Sequence, residues 1–135
     1  MRINTIIDNR LSTVDLSEFT YDFICQSAKQ TNTNTPDSWK VLDVRDLYDD
    51  DSNTLDEYRN KIQLACELLE QFNKVAIGCS HGISRSNAIA LGVLMKCFRM
   101  DFEFAYELIK EKVDRARIKE YHLVKLRQLF KIESD

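Results

Sequence analysis

The sequence has 135 residues, of which 44% are hydrophobic and 30% charged, and its formal net charge is −3. This length is typical of one domain, so we expect a single domain over residues 1–135 with one hydrophobic core. Only three glycines and one proline occur. Their scarcity excludes collagen-like and disordered classes and disfavours an all-β sandwich, because that fold needs many tight turns.

The absence of membrane, secretion and metal-binding patterns in the sequence predicts the compartment of the protein and its metal content. No apolar run reaches the roughly 18 residues of a membrane-spanning helix, and no secretory signal pattern is visible, so we expect a cytoplasmic protein without membrane contact. The four cysteines show no Cys-x-x-Cys spacing, which favours reduced thiols over a disulfide framework. Cys66 and Cys97 lie on apolar helical faces and are expected to pack in the core. No metal site and no cofactor are expected, because no ligand cluster is present.

Charge is distributed unevenly along the chain. Residues 1–78 hold 8 Lys and Arg against 14 Asp and Glu, whereas residues 79–135 hold 11 against 8. A protein that binds nucleic acid in bulk would be more basic overall, so such a partner is not expected. The basic second half is compatible with a small anionic ligand.

The hydrophobic pattern predicts alternating strands and helices. We expect a short edge strand over Ile3–Ile7, a helix ending near Lys29, a loop over residues 30–37 and a buried strand over Trp39–Val44. A helix over Leu55–Phe72 and a second buried strand over Lys74–Ile77 follow. Three more helices are predicted over Ser84–Cys97, Asp101–Val113 and Ile118–Phe130. Strands separated by helices predict a compact α/β domain with a short, mostly parallel central sheet and flanking helices.

One segment, residues 75–87, carries the chemistry. A strand ends at Gly78, a short loop follows, and a helix opens near Ser84. Backbone N–H groups at such a junction lack partners within the helix and bind anions, and Gly82 lets the loop curl tightly. The predicted anion-binding residues are Ser80, His81, Gly82, Ile83, Ser84 and Arg85.

Cys79 is the candidate nucleophile of this segment. A helix N-terminus and a nearby guanidinium favour the thiolate form of a cysteine, and Arg85 follows six positions later. Arg85 suits the bidentate binding of two phosphate oxygens. Ser84 and Ser86 add hydroxyl groups, one of which could stabilise the thiolate when it acts as a leaving group.

The spacing Cys79-x5-Arg85 followed by Ser86 resembles the signature of the cysteine-based protein tyrosine phosphatases. The run Gly-Ile-Ser-Arg-Ser at residues 82–86 looks like the dual-specificity branch of that superfamily. The resemblance covers about 90 residues, from Val41 to Leu129, and weakens toward the N-terminus.

The resemblance implies a metal-independent reaction in two steps on phosphotyrosine, and on phosphoserine or phosphothreonine, of proteins. Cys79 would attack phosphorus to form a phosphocysteine, which water would then hydrolyse. Arg85 and the loop amides would hold the phosphate oxygens, and Ser86 would help to expel the thiolate in the second step. A monomer acting on a phosphorylated protein or another phosphate monoester is expected.

The resemblance also implies a general acid, an aspartate on a separate loop roughly thirty residues before the cysteine. The acidic segment 43–51 offers five aspartates as candidates. Counting back from Cys79 points to Asp46, and counting from the following helix points to Asp49, which is slightly favoured. The acidic residues 49–51 could alternatively form a solvated turn that caps the helix.

Two residues depart from the family pattern and keep other functions open. Gly78 stands where the resemblance places a histidine that orders the loop, which leaves a phosphate-binding pseudophosphatase as one alternative. His81 in a Cys-x-His-Gly arrangement looks like the RNA 5′-triphosphatase branch, which is the other alternative, although a simple exposed loop histidine is as consistent with the sequence. His122, on the last helix, is interpreted as structural.

Overall fold

The computed structural model describes residues 2–17, 39–81 and 83–134, which form four strands and four helices. The strands are β1 (Arg2–Ile7), β2 (Leu11–Asp15), β3 (Lys40–Asp43) and β4 (Val75–Cys79). The helices are α1 (Leu55–Gln71), α2 (Arg85–Lys96), α3 (Phe102–Lys112) and α4 (Glu120–Ser134). The predicted helix ending near Lys29, the loop over residues 30–37, and Gly82 lie outside the described residues.

The four strands form one sheet in the order β1-β2-β4-β3. Both β2 and β3 pair with β4 in parallel, and β1 pairs with β2 antiparallel at the edge. The predicted α/β class with a mostly parallel sheet and flanking helices is therefore confirmed. In the parallel register Asp15 is opposite Cys79 and Asp43 is opposite Gly78. This edge, where the parallel strands end, is where ligands bind in open α/β sheets.

Strand β2 was missed by the sequence analysis, although it is a central strand. Its middle residues, Ser12 and Thr13, are polar yet fully buried. Buried central strands normally read as runs of apolar residues, so the pattern of this strand resembles a loop. The other three strands were predicted.

Helix α1 follows the predicted apolar spacing and begins with a capping box. Thr54 Oγ1 accepts a hydrogen bond from the Glu57 N–H, and Glu57 Oε1 accepts one from the Thr54 N–H. This reciprocal pair satisfies two N–H groups at the start of the helix. The buried face of α1 consists of Tyr58, Ile62, Ala65, Cys66, Leu68 and Leu69.

Helix α2 is buried along most of its length and packs against α1 at Gly92. A Cβ atom on Gly92 would lie 2.2 Å from Ile62 Cδ1, a distance that no packed side chain can take. Gly92 therefore permits the close packing of α2 against α1. The packing of α2 places its first residue, Arg85, beside the end of β4.

The expected reduced state of Cys66 and Cys97 is wrong. The two residues form a disulfide between α1 and the end of α2, and their Cα atoms are 6.2 Å apart, within the normal range for such a bond. Cys66 is buried as predicted, but Cys97 is exposed rather than packed in the core. The close approach of the two helices brings these cysteines together, and spacing along the sequence carries no signal of it. Cys79 is a free cysteine.

In the part of the chain that the structure describes, no helix has the length and apolar character needed to cross a bilayer. Likewise, the described residues contain no group of three or more His, Cys, Asp or Glu side chains arranged to hold a metal ion.

Candidate active site

Cys79 is the last residue of β4, and its side chain is 2% exposed. Its Sγ atom lies 3.2 Å from Oγ of Ser86, which is fully buried in the first turn of α2. The neutral thiol donates this hydrogen bond, and the serine hydroxyl donates it when the sulfur is a thiolate. The predicted pairing of a sulfur with a serine hydroxyl is therefore present at Ser86.

Arg85 connects the start of α2 to the segment between β3 and α1. Its Nη1 atom donates hydrogen bonds of 3.0 Å to the backbone oxygens of both Arg45 and Leu47. These two bonds fix the guanidinium group beside the segment that carries the candidate general acids. A guanidinium has five N–H donors, so two bonds from Nη1 leave donors for an anion.

A pocket of about 200 Å³ opens at the cysteine. Four of its lining residues, namely His81, Ile83, Ser84 and Arg85, were predicted to bind the anion. Ser80 does not line it, and Gly82 lies outside the described residues. The complete lining is Asp49, Cys79, His81, Ile83, Ser84, Arg85 and Lys119.

The structure separates the two candidate general acids. Asp49 lines the pocket that contains Cys79. Asp46 instead forms an ion pair with Lys61, with Oδ2 2.8 Å from Nζ, and borders a different pocket beside α1. Of the two carboxyl groups, only that of Asp49 shares a pocket with the sulfur.

Two residues of α4 bind the Asp49 carboxylate. His122 Nε2 lies 2.9 Å from Asp49 Oδ1, and the Tyr121 hydroxyl donates to the same oxygen at 3.1 Å and to the Asp49 backbone oxygen. Burial tends to raise the pKa of Asp49, but hydrogen bonds from His122, Ser84 and Tyr121 outweigh burial and hold this pKa below its usual value. Burial and the neighbouring carboxylate raise the pKa of Tyr121 to about 12, so its hydroxyl remains a donor.

His122, which the sequence analysis interpreted as structural, lies beside the Asp49 carboxylate in the folded chain. Its side chain is fully buried, and its Nδ1 atom lies 2.5 Å from the hydroxyl of Tyr58, which is also fully buried. Burial lowers the pKa of His122, the contact with Asp49 acts in the opposite direction, and the charge of Arg85 adds to the lowering. The one available signal was a histidine within the apolar stretch of α4, and this signal does not identify a partner 73 residues away.

The segment between α3 and α4 contacts the loop that follows Cys79. The Arg117 N–H donates to the Ile83 backbone oxygen at 2.9 Å, and the Lys119 N–H donates to Ser84 Oγ at 3.3 Å. These bonds bring Lys119, an exposed cation that the sequence analysis did not select, to the rim of the pocket. The rim therefore carries His81, Arg85 and Lys119 against the single carboxylate of Asp49.

Gly78, the position of the expected histidine, is closely packed. A Cβ atom there would lie 2.4 Å from Leu16 Cδ1 and 2.9 Å from Val14 Cγ1. The Leu16 N–H donates to the Cys79 backbone oxygen at 2.9 Å, and the Val44 N–H donates to the Gly78 oxygen at 2.8 Å. Apolar packing and backbone hydrogen bonds therefore hold this end of β4 without a side chain at position 78.

Comparison with protein families gives a match over nearly the whole chain. The family described as "Dual specificity phosphatase, catalytic domain" matches residues 8–133, which confirms the resemblance predicted from the signature. No curated protein sequence matches this chain.

Solved structures give a consistent result for the fold. The chain is similar to human tyrosine phosphatase-like serine/threonine/tyrosine-interacting protein, with a TM-score of 0.73 and 17% identity over 98% of both chains. It is similar to human DUSP28, with a TM-score of 0.70 and 14% identity over 98% of this chain and 95% of that chain. It is also similar to a leucine-rich repeat and phosphatase domain protein of Entamoeba histolytica, with a TM-score of 0.68 and 17% identity over 98% and 93% of the two chains.

Proposed function

Since this chain belongs to the dual-specificity phosphatase catalytic-domain family, we propose that it is a cysteine-dependent phosphatase. Its proposed substrates are phosphate monoesters, including phosphotyrosine, phosphoserine and phosphothreonine of proteins. The observation that carries the proposal is the shared pocket of Cys79, Arg85 and Asp49, with Ser86 Oγ 3.2 Å from the sulfur. A nucleophile, an anion-binding cation and a proton donor are what transfer of a phosphoryl group to sulfur requires.

In the first step the Cys79 thiolate attacks phosphorus, so that an S–P bond forms and the P–O ester bond breaks. Asp49 donates its proton to the departing oxygen, which leaves as a neutral alcohol or phenol. The Arg85 guanidinium binds the non-bridging oxygens as their charge develops. The carbonyl oxygens of Arg45 and Leu47 hold Nη1 in place, so the positive charge is oriented before substrate arrives.

In the second step water attacks the phosphocysteine, and the Asp49 carboxylate takes a proton from that water. The S–P bond breaks and inorganic phosphate is released. Ser86 donates its hydroxyl proton in a hydrogen bond to the departing thiolate. This contact stabilises the charge on sulfur and supports the expected role of Ser86.

Two alternatives from the sequence analysis make different predictions. His81 and Lys119 at the pocket rim favour substrates with additional negative charge, which suits RNA 5′-triphosphate hydrolysis. A pseudophosphatase interaction module is suggested by Gly78, and one similar structure is described as phosphatase-like and interacting. The module would bind phosphate at Arg85 without turnover.

One set of assays distinguishes these functions. We propose to measure hydrolysis of p-nitrophenyl phosphate by the wild type, Cys79→Ser, Asp49→Asn and Asp46→Asn between about pH 3 and 8, a range that includes the acidic region in which Asp49 titrates. The proposal predicts that Cys79→Ser abolishes turnover and that Asp49→Asn, but not Asp46→Asn, removes the alkaline limb of the pH profile. Equal rates for the wild type and Cys79→Ser would contradict enzymatic function. Faster phosphate release from triphosphate-ended RNA than from phosphopeptides would favour the RNA alternative.

A further inference from the structure

A continuous chain of hydrogen bonds connects buried side chains to the Asp49 carboxylate. Asn53 Nδ2 lies 3.5 Å from the Tyr58 hydroxyl, that hydroxyl lies 2.5 Å from His122 Nδ1, and His122 Nε2 lies 2.9 Å from Asp49 Oδ1. Asn53 is 1% exposed, and Tyr58 and His122 are fully buried. Only the last member, Asp49, reaches the pocket that contains Cys79.

The direction of this chain is set at Asn53. The Tyr48 N–H donates to Asn53 Oδ1 at 2.9 Å, and Asn53 Nδ2 donates to the Tyr48 backbone oxygen at 2.6 Å. These two backbone bonds orient the amide so that its NH2 group faces Tyr58. The Tyr58 oxygen therefore accepts from Asn53, and its own proton is directed to His122.

The tautomer of His122 follows from that direction. Because Tyr58 donates to Nδ1, this nitrogen is the acceptor and Nε2 carries the proton. Nε2 then donates to Asp49 Oδ1. The opposite tautomer would take away the acceptor that the Tyr58 O–H has at Nδ1 and would place two acceptors against each other at Asp49, which is costly for buried groups.

We propose that His122 is a positioning residue for Asp49: held as one tautomer by Tyr58 and Asn53, it orients the carboxyl group that donates the catalytic proton. This inference rests on the proposed function, in which Asp49 is the general acid. His122 and Tyr121 both bond to Oδ1, and these two bonds hold the carboxyl group in one orientation.

The charges around the pair determine where an added proton goes. A second proton on His122 would sit on Nδ1 against the Tyr58 donor, next to the positive charge of Arg85. Asp49 and Asp50 favour that proton electrostatically, but burial disfavours it. The titratable and charged groups that face the pair are Asp50 on the same loop, Tyr58 on α1, Arg85 on α2, Tyr121 on α4, and His81 and Lys119 at the pocket rim. Burial outweighs the two carboxylates, so His122 keeps its neutral form to lower pH than an exposed histidine would.

Removing the His122 donor has a definite kinetic consequence. The alkaline limb of kcat/KM reports the loss of the proton from the general acid, and the His122 donor favours the unprotonated carboxylate. In His122→Phe we expect this limb to move to higher pH by about one unit. The plateau rate should fall by about tenfold for phenyl phosphate, whose phenolate is a poor leaving group, because the carboxyl group is no longer oriented. The rate for p-nitrophenyl phosphate, a good leaving group, should change less.

Three variants and one spectrum test the proposal. His122→Gln keeps an N–H donor for Asp49, so its alkaline limb should stay at the wild-type position. Tyr58→Phe releases Nδ1, so 15N NMR should show a mixture of His122 tautomers, whereas the wild type should show the proton on Nε2 alone. Tyr106→Phe, on α3, is the matched control for loss of a tyrosine hydroxyl and should change neither measurement.

Two results would overturn the proposal. One is an alkaline limb in folded His122→Phe that coincides with the wild-type limb. The other is a wild-type His122 with its proton on Nδ1. The NMR measurement needs only wild-type protein, so it decides the matter even where His122→Phe does not fold. Equal activity of the wild type and Cys79→Ser would instead reject the proposed phosphatase function, which keeps the two failures distinguishable.

Discussion

Leu16 occupies the space that a side chain at Gly78 would need, since a Cβ atom at that position would lie 2.4 Å from Leu16 Cδ1. Both residues adjoin Cys79, Gly78 along β4 and Leu16 through its hydrogen bond to the cysteine oxygen. The family resemblance places a histidine at position 78, and in this chain Leu16 and Val14 fill the space that such a side chain would need. Position 78 therefore has to be glycine while Leu16 occupies this space.

Substitution of Gly78 tests this packing. We expect Gly78→Ala to lower the free energy of unfolding by about 1 to 3 kcal/mol, because the added methyl group overlaps Leu16. In the double variant Leu16→Ala/Gly78→Ala the cavity accepts the methyl group, so the two losses should be less than additive. Urea denaturation of the four proteins gives this cycle. Wild-type stability for Gly78→Ala, or strict additivity, would contradict the close packing.

The Cys66–Cys97 disulfide should contribute substantially to stability. It joins residues 31 apart in the sequence, and closing a loop of this size in the unfolded chain stabilises the folded state by about 3 to 4 kcal/mol. Dithiothreitol should therefore lower the denaturation midpoint of the wild type. The double variant Cys66→Ala/Cys97→Ala is the control and should not respond. An equal response of both proteins would show that the reductant does not act through this disulfide.

The buried imidazole of His122 should make stability depend on pH near neutrality. Burial lowers the folded-state pKa below the ordinary 6.5, so the unfolded chain binds a proton that the folded chain does not. This contribution is fully present above pH 6.5 and is lost as the pH falls through the folded-state pKa. Between about pH 8 and 5, the free energy of unfolding should fall more steeply for the wild type than for His122→Gln. Coincident slopes for the wild type and His122→Gln would contradict the assignment.

Ser86 should affect the second chemical step more than the first. Its hydroxyl lies 3.2 Å from Cys79 Sγ, and its donor is needed when the thiolate departs. We expect Ser86→Ala to release the phenol of an aryl phosphate in a rapid burst, followed by turnover roughly 100-fold slower than in the wild type. Stopped-flow absorbance resolves the two phases. Slow turnover without a burst would assign Ser86 to the first step instead.

Most of the fold was predictable because its helices bury one regular face. The apolar spacing of Tyr58, Ile62, Ala65 and Leu69 in α1 allowed that helix to be recognised without its partners. Strand β2 was not recognisable, because the buried Ser12 and Thr13 have no apolar pattern. The disulfide could not be predicted either, since the approach of Cys97 to Cys66 depends on how α2 packs against α1 at Gly92.

At the site, the sequence predicted the residues that are close together in the chain and missed those that the fold brings in. Cys79, Arg85 and Ser86 follow from a local strand-to-helix junction. Asp49 lies in the pocket and Asp46 does not. This difference depends on two contacts: Asn53 bonds to the Tyr48 backbone, and His122 of α4 bonds to Asp49. His122 and Lys119 lie far along the chain from the signature, so only the folded chain shows that they reach Asp49 and the pocket.

Chemical trapping of a phosphocysteine at Cys79 is the decisive measurement for the proposed reaction. Ser86→Ala is mixed with p-nitrophenyl phosphate, quenched in acid within the burst phase and digested, and the peptides are analysed by mass spectrometry. We expect a phosphoryl group on the sulfur of the peptide that contains Cys79, and none in Ser86→Ala/Cys79→Ser. Turnover of substrate by the wild type with no phosphoryl group on Cys79, or retained turnover in Cys79→Ser, would contradict the proposed reaction.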